Sequence, residues 1–315
     1  MHLFNLLSDA LRMNIIHDNA YKTRMNGFAS ESFFSRYLSD RQITSYQGGY
    51  LVPVRKKSSA LDNFVYFTCI SNTEEPADYQ PIYQALLPLR PVCQFLIVYE
   101  NERFADDAVV DVAGRHFPLP VWQVYRFRDG AFVAEPTGID ALLNLFTDTN
   151  QPAVYHPVSE QLVEVARHHL AFLSAAELFA RYVDRFIFDV LIGRQKTKGV
   201  PTDIDVIVRQ PGTEQLVLIE VKEKDLAKTI SGFGLDEHRM RAMKQISDRT
   251  GLRYSLVVRH IRNQHDRAFI GWKRIEINAF LQHRSRTPIE GGKGMRSMYS
   301  YNPTYICPVG YFKEI

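Results

Sequence analysis

Residues 203–222 place three carboxylates and an ammonium inside two apolar runs: Asp203 and Asp205 in "DIDVIVR", Glu220 and Lys222 in "QLVLIEVK". Successive side chains of a strand point to opposite faces, so each pair shares one face. Val217, Ile219 and Val221 take the other face, toward a core. Charges inside a buried strand are costly unless they are paired or ligate a metal. Asp205 and Glu220 together offer the hard oxygen ligands that Mg²⁺ prefers, and the Val221 carbonyl offers a further one. Lys222 is then placed to orient or deprotonate a water, or to stabilise negative charge on a phosphate. A metal and a lysine around a phosphodiester make a hydrolysis site: the cation neutralises developing charge and makes hydroxide available. The alternative is a set of ion pairs at a sheet edge, with "KEKD" (222–225) as a solvated turn.

The elements that must position these residues are legible around them. "QPGTE" (210–214) carries the Pro-Gly pair of a turn, so the Asp strand and the Glu strand form a hairpin and lie side by side. A helical region runs from about residue 159 to 192, broken near 169–175. "GLDEHRMRAMKQISDRTGL" (234–252) predicts a helix with acidic residues at its start and Gly251 as its C-cap. Strands follow at 253–261 and 268–277, then a short helix "NAFLQH" and a loop-like tail from Arg284.

With these elements in place, "TDIDVIV…QLVLIEVK" resembles the core of the PD-(D/E)XK nuclease superfamily, which includes many restriction endonucleases and the archaeal Holliday-junction resolvases. The resemblance covers about residues 174–280 and rests on element order, spacing and strand faces. It implies an α/β fold, a restriction-endonuclease-like mixed sheet flanked by helices. It implies Asp205, Glu220 and Lys222 as catalytic residues, with Asp205, Glu220 and Val221 holding Mg²⁺, for which Mn²⁺ would substitute. Asp203 is the lesser candidate, because "VIV" directly follows Asp205. Some members add a Glu from the preceding helix, the place held here by Glu177 in "SAAELFARYV". The sequence departs from the pattern in having no Pro immediately before Asp205; the nearest is Pro201. The implied activity is a metal-dependent DNA endonuclease of restriction, repair or defence against foreign DNA. The other class is a non-catalytic module that binds nucleic acid or protein on a nuclease-like fold. RNA shares the same phosphodiester and stays open as a substrate.

Composition fits such a protein. Of 315 residues, 45% are hydrophobic and 23% charged, which is ordinary for a globular chain. No apolar run reaches the roughly 20 residues that span a bilayer. "MHLFNLLSDALRMN" reads as an amphipathic helix, not a signal peptide. Cys69, Cys93 and Cys307 form neither a disulfide framework nor a zinc motif, so a cytoplasmic location is expected. Charge is uneven: residues 238–300 hold 14 Lys and Arg against 4 Asp and Glu. Such a stretch suits a polyanion or a solvated face. Within it Arg239, Arg241, Lys244, Arg253, Arg259, Arg262 and Arg267 are the candidates for phosphate contacts, which position a duplex without reading it. "HRSRTPIEGGKGMRSMYSYNPTY" (283–305) mixes basic residues and tyrosines and would wrap DNA or pack on the core.

The first half carries strand-like runs at 48–54, 63–70, 92–100, 117–127 and 130–136, with a helix at 79–89. "FTDTNQPAVYHP" (146–157) reads as a linker. The expected domains are therefore 1–150, an α/β recognition or partner-binding domain, and 158–315, the nuclease-like domain with its basic tail. A homodimer or a partner subunit is compatible with this plan. "FFSRYLSDR" (33–41) pairs with "LFARYVDR" (178–185), and each half later has a strand with one of the two tryptophans, Trp122 and Trp272. A duplication is the expectation this raises, with Thr68 or Cys69 standing where Glu220 would be; coincidence between two ordinary α/β domains is the alternative.

Overall fold

Helices and strands alternate through this computed structural model, which describes residues 2–54, 61–146, 153–193, 201–227, 230–290 and 303–315. The first part runs α1 (His2–Leu11), α2 (Asp18–Asp40), β1 (Ser45–Pro53), β2 (Phe64–Ser71), α3 (Pro76–Leu86), β3 (Cys93–Val112), β4 (Arg115–Arg128), β5 (Ala131–Ala134) and α4 (Asp140–Leu143). It continues with α5 (Glu160–His169), α6 (Ala175–Arg185), β6 (Thr202–Arg209), β7 (Leu216–Lys224), β8 (Gly232–Asp236) and α7 (Glu237–Thr250). β9 (Arg253–Ile261), β10 (Phe269–Glu276), α8 (Ile277–His283), β11 (Ile289–Glu290), β12 (Pro303–Pro308) and β13 (Lys313–Glu314) complete it.

The chain packs as two interleaved units, not as two consecutive halves. Met1–Met25 with Gly49–Asp203 form one, and Asn26–Gly48 with Ile204–Ile315 form the other. The border falls inside α2, β1 and β6, and residues 158–203 belong with the first unit rather than with the strands that follow them. The physical reason is which apolar helix face covers which sheet. In the first unit, Phe179, Tyr182 and Val183 of α6 pack on Val65, Phe67, Cys69, Phe95 and Ile97. In the second, Phe34 and Leu38 of α2 pack on Val206, Val217, Ile219, Val221, Val257 and Trp272. Phe34 meets Trp272 edge-on at 5.1 Å between ring centroids.

Both units are mixed α/β, with a mixed sheet flanked by helices. In the second, the strand order is β13-β10-β9-β7-β6 with the start of β1 beyond β6. β7 and β9 run parallel, joined through α7, while β6–β7, β9–β10 and β10–β13 are antiparallel. A mixed sheet flanked by helices is the fold class expected from the sequence. In the first, the order is β1-β2-β3-β4-β5, with β2 and β3 parallel and the other pairs antiparallel. β3 runs on to Val112, past the expected end at residue 100, as a long ladder with β4 interrupted by two irregularities.

Two expectations for the second unit are corrected. Residues 234–236 are not helical: Gly232–Asp236 is a strand, and α7 begins at Glu237 behind the N-cap Asp236, whose side chain accepts from Arg239 N. The segment after Arg284 is not all loop, because β12 pairs with β8 and β11 with β12. Gly232 permits that pairing, since a Cβ there would overlap the Cys307 carbonyl. A partner about 70 residues away leaves no local trace in sequence, whereas the cap at Asp236 does. Residues 291–302 of the basic tail, and 194–200 of the basic loop before β6, lie outside the described residues.

Candidate metal centre

β6 and β7 form the expected hairpin, with Gly212 at a positive φ of 78° in the turn and Gln210 N–H donating to the Gln215 carbonyl at 2.8 Å. Their backbone ladder runs from Arg209 opposite Leu216 to Val206 opposite Ile219. At the next position a side chain takes over: Asp205 Oδ2 accepts the Val221 N–H at 2.7 Å. This bond fixes the Asp205 carboxylate against the rim of β7, with its side chain only 2% exposed.

β7 separates its two faces as alternation requires. Val217, Ile219 and Val221 enter the core beneath α2. Glu220, Lys222 and Lys224 occupy the opposite face. Ligand oxygens of Asp203, Asp205 and Glu220 all lie within 4.8 Å of one another. Glu220 is fully buried. Lys222 Nζ stands 2.5 Å from Glu220 Oε1 and 3.9 Å from Asp205 Oδ2. Arg239, from the first turn of α7, brings its Nε to 3.0 Å from the same Glu220 oxygen. Lys222 is 34% exposed and Arg239 17%, so the ammonium is the more accessible of the two to an incoming group.

The donor set consists only of carboxylate oxygens, which suits a hard divalent cation. Val221 stands beside it through its backbone, its side chain turned into the core. Asp203, the lesser candidate from sequence, joins the group. Lys224 was not anticipated at all. Burial, and then the like charge of Lys222, push its ammonium below the usual lysine range, while Asp236, Asp225 and Glu220 pull it back. Its signal was the same two-residue period that marks Glu220 and Lys222.

Glu177 has a local role. It closes a capping box on α6 in the first unit: its carboxylate accepts from Ser174 N at 2.7 Å, and Ser174 Oγ accepts from Glu177 N at 3.2 Å. "SAAE" carries the spacing of that box. Of the seven basic candidates, Arg239 sits in the centre itself. Arg259 and Arg267 both bind Glu223, each at 2.7 Å, with side chains 13% and 12% exposed. Burial lowers the Arg259 guanidinium below its ordinary value, with Glu223 opposing. Arg241 pairs with Glu237, Lys244 with Asp248 and Arg262 with Asp266, all one helical turn or loop step apart at the surface. Arg253 reaches Glu276 at 3.6 Å. Exposed pairs of this kind are weak, so a phosphate can displace the acid at little cost.

No family model matches this sequence, and no curated protein does. Among solved structures, the chain is similar to Archaeoglobus fulgidus Hjc, a Holliday junction resolvase from an archaeal hyperthermophile. The identity is 16%, the overlap covers 36% of this chain and 69% of that one, and the TM-score is 0.23. Among the described residues, no helix is long and apolar enough to cross a membrane.

Proposed function

We propose that the chain is a metal-dependent endonuclease that hydrolyses phosphodiester bonds of DNA at Asp203, Asp205, Glu220 and Lys222. The observation that carries this reading is the convergence of three carboxylates within 4.8 Å around a fully buried glutamate. Carboxylates crowded in this way repel one another, and burying one is costly. Lys222 and Arg239 offset two of the three charges. A divalent cation would turn the remaining −1 into +1, and a phosphodiester would bring it to neutrality.

Asp203, Asp205 and Glu220 would hold the cation, with the Val221 carbonyl as a further oxygen. The cation supplies positive charge that neutralises the phosphate and acidifies water. The Val221 N–H bond keeps Asp205 in one orientation. Lys222, steadied by Glu220, donates to a phosphate oxygen or orients the attacking water. Arg239 pairs with the buried Glu220 and holds it in place. The second unit holds 21 Lys and Arg against 14 Asp and Glu, the first 17 against 21, so the polyanion belongs with the unit that carries the centre.

The ion pairs of Glu220 with Lys222 and Arg239 favour a second reading, a non-catalytic binding module in which they are merely structural. Plasmid cleavage in Mg²⁺ and in Mn²⁺ separates the two. Wild-type protein is expected to cut, and Glu220→Gln and Lys222→Ala to lose cleavage while keeping most of their DNA affinity. Retained melting curves must accompany that loss. A wild type that leaves plasmid, linear, branched and single-stranded DNA intact moves the assignment to the binding module.

A further inference from the structure

The two units share more than an order of elements. Each has a strand pair, a helix, a parallel strand and an antiparallel strand: β1-β2-α3-β3-β4 and β6-β7-α7-β9-β10. Matching Phe67 of β2 with Ile219 of β7 fixes the rest through the ladders. Phe67 lies opposite Tyr50 and Phe95. Ile219 lies opposite Val206 and Ser255. One residue further, Thr68 is beside Leu96, and Glu220 beside Leu256. Leu96 then faces Tyr125 and Leu256 faces Ile275. Three rungs on, Tyr99 faces Trp122 and Arg259 faces Trp272. The only two tryptophans of the chain fall on the same rung, although nothing in the matching used them.

This register says what replaces the reactive residues in the first unit. Thr68, not Cys69, holds the place of Glu220; Ile70 holds that of Lys222; Gly49 holds that of Asp205. The vacated place is also filled. Thr68 donates to the Tyr66 hydroxyl at 2.9 Å, Tyr66 packs edge-on against Tyr83, and a Cβ on Gly49 would overlap Thr68 Oγ1. Thr68 is only 1% exposed and Ile70 fully buried. Among the described residues, the one group of three carboxylates able to share a cation is Asp203, Asp205 and Glu220.

We infer that the chain holds two copies of one nuclease-like unit, of which only the second cuts, so that each engagement with duplex DNA hydrolyses a single strand. This rests on the nuclease reading above. One P–O bond breaks and one forms to the oxygen of a water, whose proton ends on the departing sugar oxygen. The other strand, with no second carboxylate group among the described residues to meet it, stays intact, and the product is nicked duplex.

Supercoiled plasmid in Mg²⁺ reads this directly. Open circles are expected to accumulate first, with linear molecules following after a lag. Any early linear product should fall when an excess of the Glu220→Gln variant is mixed in, because a second wild-type chain is needed for the second cut. Linear product that appears with the open circles and keeps its share in that mixture overturns the inference. Calorimetric titration with Mn²⁺ gives a readout independent of cleavage. Binding is expected in the wild type and is expected to vanish in Asp205→Asn, whose melting curve must match the wild type. Residual Mn²⁺ binding in that variant places a second centre on the chain and overturns the inference. A wild type that binds Mn²⁺ through Asp205 but cuts nothing sinks the nuclease reading instead, and with it the nicking.

Discussion

Glu220 stands out in the sequence because it interrupts an apolar strand and Lys222 follows it on the same face. What could not be read is its second cation. Arg239 arrives from α7 across a crossover, and its position depends on where the helix starts, at Glu237 and not at Gly234. Not every buried acid marks a site. Asp184 in the first unit is pushed up to about 6 by burial, against the pull of Arg181, Arg185 and a Cys69 hydrogen bond. Its folded pKa lies above the ordinary 3.8, so its contribution to stability is complete below that value and is lost as pH rises through about 6. Asp184→Asn keeps the neutral form at every pH. Its melting temperature relative to wild type is therefore expected to rise across that window and to level off above it. Thermal melts over a pH series check this; a difference that does not change with pH would mean that the carboxyl is not held protonated.

At the scale of elements, alternation and turn chemistry located β6, β7 and β9, and Gly251 ended α7 in the left-handed conformation expected of a C-cap, at φ 71°. The helices were found, but not what they pack against. α6 and α2 carry closely similar apolar stripes, and neither stripe states which sheet it covers. Glu177 was therefore a catalytic candidate in sequence, while in the fold it closes the capping box of its own helix. Glu177→Ala is expected to cost about 1 kcal/mol of stability, the ordinary value of a lost cap. Chemical denaturation measures that cost. Cleavage per folded molecule should stay at the wild-type rate; a large fall in turnover with unchanged stability would return Glu177 to the chemistry.

At the scale of the whole molecule, the linker at 146–157 looked like a domain border because its composition is that of a loop. The true division follows burial. A fragment ending at residue 150 lacks α6 and leaves Val65, Phe67, Phe95 and Ile97 without their cover. It is expected to be insoluble or loosely packed, as near-ultraviolet circular dichroism and hydrogen exchange would show, whereas a sharp cooperative melt would mean that the first sheet needs no helix from beyond the linker. The exchange of helices also sets an order of events on the ribosome. The first sheet is synthesised well before α6 emerges to cover it. The second half of α2 emerges early and must wait, its Phe34 and Leu38 without partners, until β6, β7 and β9 have been made more than 160 residues later. Both cores close late and over long loops, which slows folding and lengthens the time that apolar surface is open to other chains. Nascent chains stalled before residue 174 should therefore be the ones that chaperones hold.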